Sequence, residues 1–401
     1  MSQTERSAPP ALRDALQGVR VVDFTTVMSG PYCTRMMADL GADVIKVESA
    51  AGDFIRFRPP IQGGKSTYFG ALNCGKRSVV IDMKDAEGYK VARDLALSAD
   101  VVVENFRPGV MKRLGLDFPT LSALNERLIY CSLSGFGQTG PDSHKPAYAP
   151  VIHAASGYEH AFMTQQTGQS RPANNGIFMA DVLGATHAMA AIQVALFDRE
   201  RSGKGQYIDL ALLDGILGMM IYEMQLAQFP QPKPRHLYTP VKATDGFVMV
   251  APVSPKNLLA LFEVIERPEL ARDERFSGVR AKEENWQELM SMVEAWTSQR
   301  SAKDCERILM AAGVPCSPYK SVSEAMADPQ LRQRGGLSEV GEGDGKFLVA
   351  NLPFRMSNSR TEARSHVPEL GQHTSEVLKE VLGLSEETLQ SLRERASIGG
   401  F

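Results

Sequence analysis

The chain has 401 residues, more than one ordinary hydrophobic core accommodates, so we expect two domains or one domain with a large insertion. Its 44 basic and 47 acidic residues nearly balance, which argues against a nucleic-acid-binding surface. Hydrophobic residues make up 43% of the chain, but no window reaches the uninterrupted apolar length of a membrane span.

The first predicted unit is strand, turn, helix and strand. Apolar runs at Val19–Phe24 and Val44–Val47 predict two strands, and the helical spacing of Tyr32–Leu40 predicts the helix between them. Ser29–Pro31 provides the turn, and the parallel strands require a right-handed crossover. Because this turn has one glycine and not G-x-G-x-x-G, it is not a dinucleotide-binding turn.

Strands and helices continue to alternate, which predicts an α/β fold with a doubly wound parallel sheet. The further strands are expected at Val79–Met83, Val101–Val103, Leu128–Leu133 and Tyr207–Leu212, and the helices at Ala86–Ser98, Val110–Leu114 and Ala180–Glu200. We assign residues 1–229 to the first part of a large domain.

The sequence changes character at Pro230–Pro234, a proline-rich segment typical of a stiff linker. A hairpin over Tyr238–Val253, turning at Asp245–Gly246, and three helices predict a small α+β domain over 230–328. These helices are expected at Asn257–Ile265, Asn285–Thr297 and Ala302–Ala312. Residues 329–401 are expected to return to the large domain through a hairpin at Gly343–Gly345 and the helices His373–Leu382 and Glu386–Ala396.

The five cysteines (33, 74, 131, 305 and 316) are odd in number and form no C-x-x-C pair. Free thiols and no zinc site are therefore expected. The free thiols favour a reducing cytosol, so we expect a cytoplasmic protein. The first 15 residues contain no apolar core of a signal peptide, and a frayed terminus is expected there.

Asp181 stands at the head of the long predicted helix and has two interpretations. The first is an N-cap, because aspartate commonly accepts backbone N–H bonds where helices begin. The second is a functional carboxylate, since it precedes small residues that let a ligand or second chain approach the backbone. The two are compatible, because a helix N-terminus keeps a carboxylate ionised.

Ser134–Pro141 contains a formal G-x-G-x-x-G after a strand, but Pro141–Pro146 follows where a helix should begin. Nucleotide binding therefore fails the test of context. A loop that offers backbone N–H groups to an oxyanion and a purely structural turn both remain open.

Basic residues follow two predicted strands: Lys84 after Val79–Met83, then Arg107 and Arg113 after Val101–Val103. Ligands of open α/β sheets bind outside the carboxyl ends of the strands, so these cations are candidates for phosphate contacts. A solvated surface is the alternative for each. Tyr148, taken alone, is more typical of a core tyrosine.

Six ordered blocks resemble the family III CoA-transferases, the group of formyl-CoA, carnitine and succinyl-CoA:dicarboxylate CoA-transferases. The blocks are Val19–Glu48, Asn73–Lys84, Glu104–Gly109, Ser134–Pro141, Gly203–Gln206 and Pro368–Thr374. The resemblance implies a Rossmann-like large domain with an inserted small domain, in an interlocked homodimer. It also implies transfer of CoA between an acyl-CoA and a free carboxylic acid.

The resemblance assigns roles to particular residues. Asp181 matches the family's nucleophile, which forms an anhydride and then a CoA thioester. Met28, Ser29 and Tyr148 match positions that face the substrate. The CoA-contact positions are matched by Lys84, Asn105, Phe106, Arg107 and Arg113. Coenzyme A is then a substrate, and neither a tightly bound cofactor nor a metal is implied.

The chain also departs from the family pattern. Ser49 stands where many members carry arginine, so either Arg56 or Arg58 supplies that charge or the adenine end of CoA binds differently. Met28 and Ser29 stand where formyl-CoA transferases have glutamine, and no glycine run lies between Tyr238 and Pro255, which favours succinyl-CoA-dependent dicarboxylate transferases. A 2-methylacyl-CoA racemase is an alternative, but Tyr148 replaces its histidine. A non-catalytic CoA-binding protein is a third possibility.

Overall fold

The computed structural model describes residues 12–166, 168–172, 174–230 and 238–399. Residues 231–234 of the predicted linker, and most of the segment tested for a signal peptide, lie outside these ranges. The strands are, in chain order, β1 (Arg20–Asp23), β2 (Asp43–Glu48), β3 (Ile61–Gln62), β4 (Lys65–Ser66), β5 (Arg77–Ile81), β6 (Val101–Glu104), β7 (Ile129–Ser134), β8 (Tyr207–Ala211), β9 (Val241–Ala243), β10 (Gly246–Val250), β11 (Cys316–Pro318), β12 (Leu337–Val340), β13 (Phe347–Ala350) and β14 (Ile398–Gly399).

The α-helices of the described residues are, in the same order, α1 (Ser29–Asp39), α2 (Thr67–Asn73), α3 (Ala86–Leu97), α4 (Val110–Arg113), α5 (Phe118–Ser122), α6 (Ala149–Ala155), α7 (Tyr158–Thr164), α8 (Met179–Ser202), α9 (Leu212–Met219), α10 (Ile221–Gln228), α11 (Pro255–Val264), α12 (Val279–Glu284), α13 (Trp286–Thr297), α14 (Ala302–Ala311), α15 (Val322–Ala327), α16 (Pro329–Gln333), α17 (Thr374–Leu382) and α18 (Glu386–Glu394). Short 3₁₀ turns lie at Phe54–Phe57, Pro268–Arg272, Glu274–Phe276 and Gly343–Gly345.

The main sheet has the strand order β14-β5-β2-β1-β6-β7-β8. Six of these strands are parallel, and β14 adds an antiparallel edge beside β5. The parallel strands follow the order of doubly wound sheets, in which the direction of progression reverses between the first strand and its two neighbours, here β2 and β6. Since ligands bind beyond the carboxyl ends of the strands at such a reversal, the segment after β1 is the first place to look for a site.

Helices cover both faces of this sheet, because alternate residues of buried parallel strands point to opposite sides. On one face, Val22 and Ile45 pack in a core with residues of α3, α17 and α18. On the other, Val21 and Val44 pack in a core with residues of α1 and α8. The C-terminal helices thus contribute to the same core as the first strand.

The chain divides into two compact units: Met1–Met224 with Arg332–Phe401, and Gln225–Leu331. The unit boundaries fall at 224/225 and 331/332, where the sequence predicts 229/230 and 328/329. The second unit contains the antiparallel sheet β11-β10-β9 and a core that includes Phe262, Leu289 and Leu309. The strands β11 and β14 and the helix α12 are too short to show a periodic pattern, and the sequence analysis misses them.

Two expectations need correction. Helix α1 begins at Ser29, so the predicted turn Ser29–Pro31 is its first turn, where proline is tolerated because its absent N–H has no helical partner. Helix α8 is long and apolar enough to cross a membrane by length and composition, contrary to our reading of the sequence. That is weak evidence for a membrane span, because the core helices of globular proteins pass the same test.

Candidate active site

Asp181 lies in the first turn of α8, as the third residue of the helix, and its carboxylate is half-buried. The residue before the helix is Phe178, so the N-cap interpretation of Asp181 is wrong. Burial raises the pKa of Asp181 to about 6, while the hydroxyl and the backbone N–H of Ser29 act in the opposite direction by hydrogen bonding to the carboxylate. The side chain is therefore mostly ionised at neutral pH but is poorly solvated.

The carboxylate of Asp181 lies where two helix N-termini meet. Ser29 is the first residue of α1, so its N–H is one of the donors that α1 itself leaves unpaired. The positive ends of α1 and α8 both favour a negative charge at this place. A carboxylate held in this way, with few solvent partners, suits nucleophilic attack on a carbonyl.

Tyr68 and Met28 complete this cluster. The Tyr68 hydroxyl donates to the Met28 sulfur at 3.4 Å. Burial, and then the negative charges of Asp181 and Asp53, raise the pKa of Tyr68, so this hydroxyl stays neutral within electrostatic reach of Asp181. Tyr68 could not be predicted as a site residue, because nothing in its segment of the sequence distinguishes it from a core tyrosine.

The turn between β1 and α1 is strained. Val27 has a φ of 70°, which is rare for a β-branched residue and costs about 1–3 kcal/mol. Its N–H donates to Asp53 Oδ2 at 3.2 Å, and Asp53 is paired with Lys46 at 3.3 Å. Lys46 Nζ also donates to the Thr25 carbonyl at 2.7 Å. These bonds hold the turn in the conformation that presents Met28 and Ser29.

Asn105, which directly follows β6, holds the same turn through its side-chain amide. Its Oδ1 accepts the N–H of Thr26 at 2.9 Å, and its Nδ2 donates to the Thr26 carbonyl at 2.8 Å. Asn105, assigned to CoA by resemblance, thus has a role in shaping the turn that the sequence did not reveal.

A buried ion pair lies beneath the turn. Lys76 Nζ contacts Asp23 Oδ2 at 2.9 Å and donates to the Pro31 carbonyl at 2.9 Å and to Asn73 Oδ1 at 2.8 Å. Burial alone would raise the pKa of Asp23, but Lys76, Lys46 and the hydroxyls of Thr25 and Thr34 lower it to about 2. Burial lowers the pKa of Lys76 to about 8, against the pull of Asp23, so both groups are charged at neutral pH.

The structure separates the CoA candidates by environment. Lys84, Arg107 and Arg113 are exposed just beyond β5 and β6, and their side chains form no ion pair within the described residues. Phe106 is partly buried against the core beneath the sheet. The three cations are therefore free to meet phosphates at the carboxyl edge.

The two arginines proposed to replace the charge missing at Ser49 differ sharply. Arg56 is already paired within the protein, because its guanidinium donates to both Glu48 carboxylate oxygens at 2.8 and 2.6 Å and lies 3.8 Å over the Phe69 ring centroid. Arg58 is exposed, 5.4 Å over the Phe54 ring centroid, and forms no ion pair within the described residues. Of the two, Arg58 is the available cation.

Tyr148 is 64% exposed immediately before α6, so its interpretation as a core residue is wrong. Helix α6 packs on α8, which carries Asp181. In the glycine loop after β7, a Cβ on Gly135 would lie 2.4 Å from the Ala147 Cβ, so the loop packs tightly against the segment leading to Tyr148. Glycine is therefore required at position 135, because any side chain there would collide with Ala147.

A model of CoA-transferase family III matches residues 16–374 of the chain. The chain belongs to this family. It is 33% identical over 390 residues to the succinate–glutarate CoA-transferase of Agrobacterium fabrum, with 93% of this chain and 97% of that protein covered. It is 34% identical over 391 residues to the acetyl-CoA:oxalate CoA-transferase of Acetobacter aceti, with 95% and 98% covered.

Solved structures agree with this assignment. A CAIB/BAIF family protein from Brucella suis superposes with a TM-score of 0.79 at 34% identity, with 92% of this chain and all (100%) of that chain covered. The orthorhombic form of Rv3272 from M. tuberculosis gives 0.82 at 29% identity, with 91% and 99% covered. The family III chain is thus an enzyme that uses CoA thioesters, with a mixed α/β fold around a mostly parallel sheet.

Proposed function

We propose that this family III enzyme transfers CoA from an acyl-CoA to a free carboxylic acid with Asp181 as nucleophile. The observation that carries the proposal is the half-buried Asp181 carboxylate, held by Ser29 where the N-termini of α1 and α8 meet. Neither a metal nor a tightly bound cofactor is part of the proposal. Within the described residues no group of three or more His, Cys, Asp or Glu could hold a metal ion.

The chemistry needs a carboxylate because every step must keep the acyl group activated. A carboxylate oxygen of Asp181 attacks the thioester carbonyl, the C–S bond breaks, and CoA leaves as thiolate from a mixed anhydride. The thiolate attacks the aspartyl carbonyl, releasing the donor acid and leaving an aspartyl-CoA thioester. The acceptor carboxylate attacks that thioester, the C–S bond breaks, and CoA thiolate and a second mixed anhydride form. The thiolate attacks the acceptor acyl carbon of this anhydride, which gives the new acyl-CoA and frees the Asp181 carboxylate. Water must be excluded while the anhydride exists.

We propose succinyl-CoA as donor and a dicarboxylate as acceptor. Relatives named for succinate and glutarate support this choice, and the missing glutamine at Met28 and Ser29 supports it over formyl transfer. For CoA we propose that its phosphates contact Lys84, Arg107 and Arg113. Arg58 is proposed to supply the positive charge that is missing at Ser49. Asn105 and Phe106 are proposed to complete the CoA-binding site. Tyr148 and Met28 are proposed to face the acid.

The racemase alternative needs a histidine that can act as a base beside the aspartate. His153 lies near the start of α8, but its Nε2 already accepts the Ala180 N–H at 3.1 Å.

Incubation with succinyl-CoA and a panel of acids, including glutarate and oxalate, tests the three functions. New acyl-CoA supports transfer, deuterium exchange at the α-carbon without transfer supports a racemase, and binding alone supports a non-catalytic protein.

The pKa of the nucleophile gives a prediction about pH. Since burial raises the pKa of Asp181 to about 6, its ionised fraction falls as the pH drops through that value. We expect kcat/KM for acyl-CoA to be constant from about pH 7 to 8 and to decline below about pH 6, at least tenfold per pH unit well below the pKa. An acid limb centred near the ordinary aspartate value would contradict the burial argument.

We also propose the interlocked homodimer and the Rossmann-like large domain with an inserted small α+β domain. The exposed face of α8 supports a partner chain, because Val194 and Phe197 are 66% and 65% exposed. We expect a dimer that persists at nanomolar concentration, since separating threaded chains requires partial unfolding. Sedimentation showing a folded, active species near 43.9 kDa would contradict it.

We place the enzyme in the cytoplasm, where its five free cysteines would stay reduced.

A further inference from the structure

Helix α8 has no cap from its own chain segment at the end that carries Asp181. Phe178 precedes the helix and provides no side-chain hydrogen bond. The N–H of Ala180 donates instead to Nε2 of His153, in α6, at 3.1 Å. His153 is 2% exposed, so this bond lies within the packed interface of α6 and α8.

The surroundings of His153 select one neutral form of the ring. Nε2 accepts a hydrogen bond, so the ring proton must be on Nδ1. Nδ1 lies 3.9 Å from Oε1 of Glu159, and the Tyr158 ring stands edge-on at 5.3 Å between centroids. The imidazole is thus held by one hydrogen bond, with Glu159 and Tyr158 beside the ring and its acceptor nitrogen directed at the first turn of α8.

We propose that His153 is a positioning residue for catalysis: its neutral imidazole caps α8 and holds the turn bearing Asp181 against Ser29. The inference rests on the proposed role of Asp181, because a cap matters to turnover only if that turn carries the nucleophile. A misplacement of about 1 Å at a reacting group costs as much as about 100-fold in rate.

The cap depends on protonation. An imidazolium has two donors and no acceptor, so protonated His153 must release the Ala180 N–H. The helices packed against α6 carry Glu159 and Tyr158 on α7, Asp181 on α8 and Asp214 on α9. Burial lowers the pKa of His153, and Glu159 partly opposes this, so the ring is neutral at pH 7 and takes up a proton only in acid.

Two protons therefore suppress turnover on the acid side, one on Asp181 and one on His153. We expect the acid limb of log kcat/KM against pH in the wild-type enzyme to steepen from a slope of one towards two as the pH falls. His153→Gln keeps an acceptor for the Ala180 N–H but does not titrate. Its kcat at pH 7.5 should be within about threefold of wild type, and its acid limb should keep a slope of one.

His153→Leu removes the acceptor at similar volume and should lower kcat about 10- to 100-fold, with KM for acyl-CoA changed less than about threefold. His160→Gln, an exposed histidine on α7, is the matched control and should leave the pH profile unchanged. A wild-type limb of slope one, or a His153→Gln limb as steep as the wild type, would overturn the positioning role.

Different results would overturn the nucleophilic role of Asp181 and the positioning role of His153. An Asp181→Ala variant that remains active overturns the proposed function itself. If Asp181→Ala is inactive but His153→Leu folds and turns over at the wild-type rate, the nucleophile stands and the cap is dispensable. If His153→Leu does not fold, the comparison of His153→Gln with wild type decides the question.

Discussion

Asp181→Ala is expected to lower kcat at least ~1000-fold, a loss of about 4 kcal/mol of transition-state stabilisation. The reason is that the substitution removes the only atoms that form the proposed anhydride and thioester, so no slower version of the same route remains. The measurement is CoA transfer from succinyl-CoA to an active acceptor acid, with mass spectrometry of the wild-type protein after hydroxylamine or borohydride trapping to locate the adduct.

The same variant should fold normally. A folded-state pKa of about 6 in place of the usual 3.8 means that the folded protein bears the cost of the ionised Asp181 above pH 6. Removing the carboxylate should therefore leave the unfolding temperature at neutral pH unchanged or raise it. Asp198→Ala, at an aspartate on the same helix whose side chain is 49% exposed, is the matched control and should keep wild-type activity. An Asp181→Ala variant above a thousandth of wild-type kcat would falsify the nucleophile assignment.

Lys76→Met is expected to lower the free energy of unfolding by about 3–5 kcal/mol, because it leaves the Asp23 carboxylate buried without its ion-pair partner. Lys76 is almost fully buried and contacts Asp23, Pro31 and Asn73, so the variant also loosens the support under the first turn of α1. Denaturant unfolding of both proteins at equal concentration measures the change.

Two comparisons separate the ion pair from a simple loss of packing. Lys90→Met breaks an exposed pair with Glu87 and should change stability by less than about 1 kcal/mol. The double variant Asp23→Asn with Lys76→Met removes both charges and should recover part of the loss, since the N–H and hydroxyl of Thr25 can still donate to an amide oxygen at position 23. A double variant as unstable as Lys76→Met alone would show that packing, not the orphaned charge, sets the cost.

Much of the fold was predictable from local sequence. The strands β1, β2, β6 and β7 are short apolar runs with clear ends, because both faces of a central parallel strand are buried. The long helix α8 was also predictable from its alanine- and methionine-rich composition. The six motif blocks correctly identified family III. What escaped was short or irregular, such as β14, whose two residues have no periodicity to read.

The site divides in the same way. Asp181 and Ser29 were identified as candidates from motifs that lie far apart in the chain, and the basic residues after β5 and β6 were expected from the rule that ligands bind at the carboxyl ends of strands. Tyr68, Asp53 and His153 were not identified, since each acts through a partner distant in sequence and carries no local mark of that role.

The sequence by itself determined the family and the alternation of strands and helices, and it led to the proposal that Asp181 performs the chemistry. Only the tertiary structure decided the state of that residue. Folding brings the start of α1 to the start of α8, buries the Asp181 carboxylate and thereby raises its pKa to about 6. It also decided that Arg56 is bound to Glu48 while Arg58 is available, and that a histidine from α6 caps α8. Burial and hydrogen bonding depend on residues that meet only in three dimensions, so they leave no periodicity in the chain.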